Sequence, residues 1–352
     1  MQRYGNRRLA GKGWSVSASR RLDEAVDGAA IVVNQIRFGG LAGRARDEEL
    51  AARFQLPADE TLGPCGLSAA LRVAPRMRAL GAELGRHCKD AWVLNLANPL
   101  SLTTALLVKA GAPARCVGLC ELPRATAMEA CRVLQVPFDE IDWRYAGLNH
   151  RGFIFSLRHR GQELLPQLPE RLIGESIFGI TGSEIRKLSA LPLKYFRLLE
   201  AADGAATQGR ARFLSGLKED LARELDAMDG PPPSLSRRDL DWYRDAVVPM
   251  ILAIFTGDGR PVMVNCLRED GLVAELPARV SPQGVEPLPQ QAPARLSHWL
   301  DRWAAHERAL LEAIESPDLP CIEAALALDP LVPHAAVREL ARAILAGSED
   351  DP

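Results

Sequence analysis

The sequence predicts an α/β fold, with a parallel, doubly wound sheet over residues 1–136 and an α+β portion over 137–352. Three observations carry this. The runs at 29–34, 92–97 and 116–120 are short and almost continuously apolar, as expected of parallel strands covered on both faces. Stretches with helical spacing separate them, and strands alternating with helices imply parallel crossovers. Beyond about residue 137 the alternation weakens, and 352 residues exceed one typical core, so two domains are expected.

In order, residues 14–19 (WSVSAS) alternate like a short strand, and 21–27 form a brief helix. The run at 29–34 is the first buried strand, and Gly39-Gly40 interrupts it. Residues 44–54 are charged and helical. Residues 66–88 are amphipathic, with Leu67, Ala70, Leu71, Ala74, Met77 and Leu80 near one face. The strand at 92–97 closes on Asn98-Pro99, and 101–110 is a helix that Ser101 can cap and Gly111 can end. The strand at 116–120 leads into a helix over 123–134. A second β-like run then precedes Gly147, and 154–157 is another strand. Residues 183–202, 211–228 and 240–255 are helical, with the stiff connector Gly230-Pro-Pro-Pro-Ser234 between the last two. Residues 261–265 and 271–276 read as strands, and 293–316, 322–328 and 335–345 as helices. SEDDP is a frayed acidic tail.

Composition narrows the function classes. A net charge of −2 and no basic run argue against nucleic acid as the main partner. No apolar run approaches the roughly 20 residues of a membrane span. MQRYGNRRLAGKGW is basic but lacks the apolar stretch of a secretory signal. Seven cysteines at irregular spacings fit free thiols in a reducing cytoplasm.

The residues that carry chemistry lie between Arg115 and His150. Cys120 falls where its strand should end, and Gly147-Leu-Asn-His150 follows the next β-like run. Ligands of open parallel sheets sit beyond the carboxyl ends of the strands. A thiolate and an imidazole meeting there can bind a transition metal. They also fit a buried thiol and a hydrogen-bonded histidine.

Asn34-Gln-Ile-Arg-Phe-Gly-Gly40 followed by Arg44-Ala-Arg-Asp-Glu48 resembles the signature of glycoside hydrolase family 4. So do Glu60-Thr61 with Gly63-Pro64, Asn98-Pro99, Gly118-Leu-Cys120 with Pro123, Gly147-Leu-Asn-His150 and Asp329-Pro-Leu-Val332, in register over roughly residues 14–345. The resemblance implies a truncated Rossmann-like sheet followed by a lactate/malate dehydrogenase-like C-terminal domain. It also implies NAD, a divalent metal (usually manganese) and a phosphorylated glycoside as substrate. The chemistry implied is oxidation at C3, loss of the C2 proton to a base, departure of the aglycone, addition of water and return of hydride, the metal acting as Lewis acid on the C2 and C3 oxygens.

By position, Cys120 and His150 would be the metal ligands and Tyr195 the C2 base; Tyr195 otherwise reads as a packed helix tyrosine. A free tyrosine titrates near 10, so that role needs a nearby cation. Asn34, Gln35 and Arg37 fall on the cofactor side. Asn98 and Asn149 would bind sugar hydroxyls, and Arg46, with Arg44 and Arg238, the phosphorylated sugar; Arg46 otherwise reads as a solvated helix face. In Cys120-Glu-Leu-Pro123 the proline favours a 6-phosphoglycoside, and Glu121 would be the general acid. Asn or Asp at that position marks the β and α branches, and Glu matches neither. Gly147-Leu-Asn-His-Arg-Gly-Phe153 and Leu276-Pro-Ala-Arg-Val280 resemble the β branch. The relatives imply a homodimer or homotetramer.

The family opens with a strand, a Gly-rich turn, a helix and a second strand, which hold the cofactor's pyrophosphate and ribose. Gly5, Gly11 and Gly13 follow no strand and open no helix, so they do not supply that unit. Its absence leaves two expectations: a start placed too far downstream, or a shortened relative with impaired NAD binding. Without it, apolar faces of the 14–19 and 29–34 strands would lie uncovered. Around the pocket, Tyr195-Phe-Arg-Leu-Leu199 and Arg238-Asp-Leu-Asp-Trp-Tyr-Arg244 keep only part of the family pattern. The leading reading is a 6-phospho-β-glucosidase-like enzyme, and the alternative a non-hydrolytic binding or subunit protein.

Overall fold

The computed structural model describes residues 1–201, 209–238 and 242–349. Its spine is one mixed sheet. Strands β1 (Ile31–Asn34), β2 (Trp92–Asn95) and β3 (Arg115–Gly118) pair in parallel. Strands β4 (Ile141–Leu148), β5 (Arg151–His159), β6 (Pro261–Leu267) and β7 (Val273–Ser281) extend it with antiparallel pairs in the spatial order β1-β2-β3-β6-β7-β4-β5. The parallel alternation expected from the sequence holds for β1–β3. Because β6 pairs with β3, one continuous sheet runs through both portions of the chain.

Helices cover both faces. The longer helices of the first half are α1 (Gln2–Leu9), α2 (Gly40–Arg53), α3 (Gly63–His87), α4 (Leu100–Lys109) and α5 (Leu122–Leu134), with a short helix over Leu22–Val26 between α1 and α2. Later come α6 (Arg210–Ala227), α7 (Val248–Thr256), α8 (Ser297–Glu315), α9 (Leu319–Leu328) and α10 (Val337–Glu349). The apolar stripe of α3 packs Leu67, Ala70, Leu71 and Met77 with Leu310, Ile314 and Leu340 of the C-terminal helices. On the opposite face Met250 and Ile254 of α7 meet Leu94, Val117 and Val264 of the sheet. A third cluster joins α5 to Tyr145, Ile154 and Leu157.

Three local expectations are corrected. Residues 14–19 form no strand. Trp14 is 74% exposed, and the backbone N–H and C=O of Val16 bond the Asn6 side chain instead of a neighbouring strand. The alternation was present, but no partner edge meets it. Residues 183–201 are not one helix. A capping box of Thr181 and Glu184 opens a helix that ends at Leu188; Ser189 is left-handed, and Leu191-Pro192 pairs with β5 before a new helix over Phe196–Ala201. Pro192 cannot extend a helix without losing a bond. Ser101 caps nothing, because α4 begins one residue earlier with Pro99 at its N-cap. Ala202, Leu240 and the last residues of the acidic tail lie outside the described residues. At its edge position β1 pairs only with β2 among the described residues, and Val33 remains 38% exposed.

The strand register threads one row across the whole sheet: Asn34, Asn95, Gly118, Asn265, Glu275, Gly147 and Gly152, each opposite the next. Residues directly opposite one another share a face. The row therefore places three glycines, three amides and a carboxylate side by side. The glycines give room to their neighbours: a Cβ on Gly118 would stand 2.7 Å from Thr104 Oγ1 and 3.0 Å from Asn265 Cβ.

Candidate active site

Past Gly118, Leu119 and Cys120 leave β3, and Glu121 stands just before α5, which has Pro123 in its first turn. The turn between β4 and β5 consists of Asn149 and His150, and His150 adopts a left-handed φ of 64°. The Asn149 side chain lies beside the Cys120 sulfur and favours its thiolate. The short pairing of Ile154 with Leu191 sets Tyr195 over the same turn, where its ring stacks on His150 with centroids 4.3 Å apart and planes at 17°. Three separate stretches thus converge on one point.

Burial dominates the electrostatics here. It pushes the Cys120 thiol well above its usual range, and the charges of Glu121 and Glu275 add to this. Burial and then Lys194 push His150 down to about 3, which keeps the imidazole neutral. Burial together with Asp59, Cys120, Glu60 and Glu121 raises the Tyr195 phenol well above its usual range. Tyr195 is therefore a phenol that needs a cation beside it to lose its proton.

The donors suit a divalent transition metal. His150 Nδ1 and Asn149 Oδ1 are buried with no hydrogen-bond partner, and the thiol lies beside Asn149. Sulfur, imidazole nitrogen and amide oxygen form a mixed set that such cations accept. Among the described residues no group of three or more His, Cys, Asp or Glu is arranged for a metal. A cation held by Cys120 and His150 would need amide or ligand oxygens to complete its shell.

A second hub adjoins the first. Burial raises the Glu60 carboxyl's cost, but Arg37, Arg44 and the Asn98 amide more than offset it and hold the group below its usual range. Asn98 Nδ2 donates to Glu60 Oε1 at 2.8 Å, and Arg37 Nη1 lies 2.8 Å from Oε2. Gln35, Arg37, Glu60, Asn98 and Arg238 line a cavity of about 730 Å³ beyond the carboxyl ends of β1 and β2. The Tyr243 hydroxyl donates to Gln35 at its rim. Cys120 lines a second cavity, of about 900 Å³, with Arg124, Trp143 and Tyr145.

The structure thus gathers Cys120, Glu121, Asn149, His150 and Tyr195, and beside them Gln35, Arg37, Asn98 and Arg238. Asn34 lies beneath the cavity, with Nδ2 bonded to Asn95 and Oδ1 to the Ile36 amide. Arg44 is internal, bound to Glu48, Glu60 and the Ala58 carbonyl. Arg46 is on the exposed side of α2 and lines neither cavity. No pyrophosphate cradle comes from residues 1–30: Gly5 lies inside α1, and Gly11 and Gly13 face open space in a turn.

Sequence reasoning missed Glu275, Tyr145 and Asn265. Glu275 Oε2 accepts from the Tyr145 hydroxyl at 2.5 Å, and Oε1 from Asn265 Nδ2 at 3.1 Å and Asn149 Nδ2 at 3.3 Å. Burial raises its carboxyl to about 7 against the pull of these three bonds. A lone acid inside the apolar run 271–276 was the available signal.

The chain resembles known proteins along most of its length. It is 26% identical over 343 residues to a Bacillus subtilis protein named "Probable 6-phospho-beta-glucosidase", covering 88% of this chain and 76% of that one. With the 6-phospho-beta-glucosidase of Thermotoga maritima it shares 26% identity over 280 residues, 77% of this chain and 67% of that one. The solved structure of a T. maritima 6-phospho-beta-glucosidase with manganese, NAD+ and glucose-6-phosphate superposes with a TM-score of 0.88 at 23% identity, over 99% of this chain and 88% of that one. A 6-phospho-alpha-glucosidase from gut microorganisms, in complex with NAD and Mn2+, gives 0.86 at 19% identity, with the same coverage. The fold is that of these enzymes. The family 4 glycosyl hydrolase profile matches residues 3–136, and the profile of that family's C-terminal domain matches residues 145–332, so the chain belongs to the family 4 glycosyl hydrolases.

Proposed function

We propose that the protein hydrolyses 6-phosphoglycosides in the manner of a 6-phospho-β-glucosidase, using NAD and a divalent metal, manganese by analogy with its relatives. The observation that carries this is the convergence of Cys120, Asn149 and His150, with two buried donor atoms unpartnered, under the ring of Tyr195. NAD, when bound, accepts a hydride from C3 of the sugar, and the cation polarises the C2 and C3 oxygens.

The chain's own residues do the rest. Cys120 and His150 hold the cation. Tyr195 takes the proton from C2, since a neighbouring cation offsets the burial that otherwise keeps it a phenol. Glu121, 3.9 Å from the Cys120 sulfur, delivers a proton to the departing glycosidic oxygen. Asn149 and Asn98, the latter oriented by Glu60, meet sugar hydroxyls. Gln35 and Arg37 face the nicotinamide side, and Arg238 on the same cavity wall meets the phosphorylated sugar. No described helix is long and apolar enough to cross a membrane. The free cysteines suit the cytoplasm, and the exposed Val248, Leu252 and Phe255 of α7 suit a homodimer or homotetramer.

The test is release of p-nitrophenol from p-nitrophenyl β-glucoside 6-phosphate with NAD, Mn2+ and a reductant. Turnover should need both NAD and the metal, and in D2O the product should carry deuterium at C2. Turnover without NAD, or without deuterium at C2, would refute this route.

A further inference from the structure

Glu275 is an uncommon residue to find in the middle of a covered sheet. It is 1% exposed, and a buried carboxylate is costly unless its oxygens are satisfied. Both are: three side chains donate to them, and no cation is among those donors. Two donors are the amides of Asn149 and Asn265, each 1% exposed, each giving its N–H to the same oxygen, and each left with a buried Oδ1 that has no partner. That oxygen accepts from both amides, so it dictates which way round each one sits. For Asn149 this sends Nδ2 toward Glu275 and the Cys120 sulfur and leaves Oδ1 free.

The row register explains how the carboxylate reaches that spot. Glu275 is flanked across the sheet by Asn265 and Gly147. A Cβ on Gly147 would stand 3.0 Å from the Tyr145 hydroxyl that donates to Glu275. The glycine keeps open the space in which the hydroxyl, the carboxylate and the two amides meet.

We propose that Glu275 is a positioning residue of the metal site: it locks the Asn149 amide so that its N–H supports the Cys120 sulfur and its oxygen is presented to the bound cation or sugar. This rests on the metal-dependent reading above. Groups that orient metal ligands typically cost 10–100-fold in metal affinity when removed. Glutamine at 275 keeps the shape but can donate, so the Asn149 amide loses its fixed sense.

The test uses the full chain with Mn2+ or Co2+ alone. Mn2+ affinity is read from the free-ion electron paramagnetic resonance signal, and cysteine ligation from the near-ultraviolet thiolate-to-cobalt charge-transfer band. In Glu275→Gln, Mn2+ affinity should fall about tenfold or more, and the cobalt band should weaken. Asn149→Ala should do the same, and the double variant should lose less than the product of the two, because both act through one amide. Unchanged affinity with an unchanged cobalt band in Glu275→Gln, or fully multiplicative losses, would overturn the proposal. Should Glu275→Gln not fold, Asn149→Ala decides alone: an unaltered cobalt band and affinity would overturn it. A wild-type chain that binds neither ion would instead refute the functional reading, and the proposal with it.

Discussion

Replacing Gly152 by alanine should dislodge the Tyr145 ring. A Cβ there would stand 2.5 Å from Cζ and 2.8 Å from Cε2 of that ring, whereas carbons rest at about 3.5–4.0 Å. The ring is 1% exposed, and Gly152 is held opposite Gly147 in a ladder that is regular from Tyr145 to Leu148, its irregularity lying between Arg144 and Tyr145. Overpacking of this kind costs about 1–3 kcal/mol. If the ring moves, the bond from its hydroxyl to the Glu275 carboxylate is lost as well, a further 1.5–3 kcal/mol or about that. Urea unfolding of the variant should therefore show a loss of about 3–5 kcal/mol. The cycle with Tyr145→Ala isolates the cause. With the ring gone, alanine at 152 loses its clash, and the coupling between the two changes should be about 2 kcal/mol or more. Additive losses, or a stability change below about 0.5 kcal/mol for Gly152→Ala, would refute the reasoning.

Two further predictions concern the buried pair of Arg151 and Glu307, which are 4% and 1% exposed, and the histidine beside it. Glu307→Ala leaves an uncompensated guanidinium and should destabilise by about 3–5 kcal/mol in urea unfolding; a loss under about 1 kcal/mol would contradict this. Burial and then Arg151 push His306 down to about 3, below its usual 6.5. Its contribution to stability is therefore present above pH 6.5 and is lost as the pH falls toward 3. Burial raises Asp329, whose carboxylate is 3.8 Å from His306, to about 6 and acts in the opposite sense. Replacing His306 by glutamine removes only the histidine's share. The variant should gain on the wild type by about 1.4 kcal/mol per pH unit below 6.5. A constant difference from pH 7 to pH 4 would refute it.

Much of the fold was legible because its signals are local. The apolar runs of β1 to β3 and the stripe of α3 depend on neighbours in sequence, and they appear where the spacing puts them. Residues 14–19 show the limit: alternation specifies a strand only when another edge receives it, and here none does. Helical period separates the faces of α2 but not their roles, so Arg44 proved internal and Arg46 exposed. Cys120, His150 and Tyr195 were singled out through motifs, and the His150 and Tyr195 rings stack near the Cys120 thiol. Glu275, Tyr145 and Asn265 were not, because what unites them is register between β4, β6 and β7, strands distant in the chain.

The most direct test is a Mn2+ titration of the wild type, Cys120→Ser and His150→Ala, alongside urea unfolding of each without metal. The wild type should take up one ion per chain, and each variant should lose saturable binding while keeping its unfolding midpoint. Wild-type affinity in either variant would contradict the claim that this thiolate and this imidazole hold the same cation.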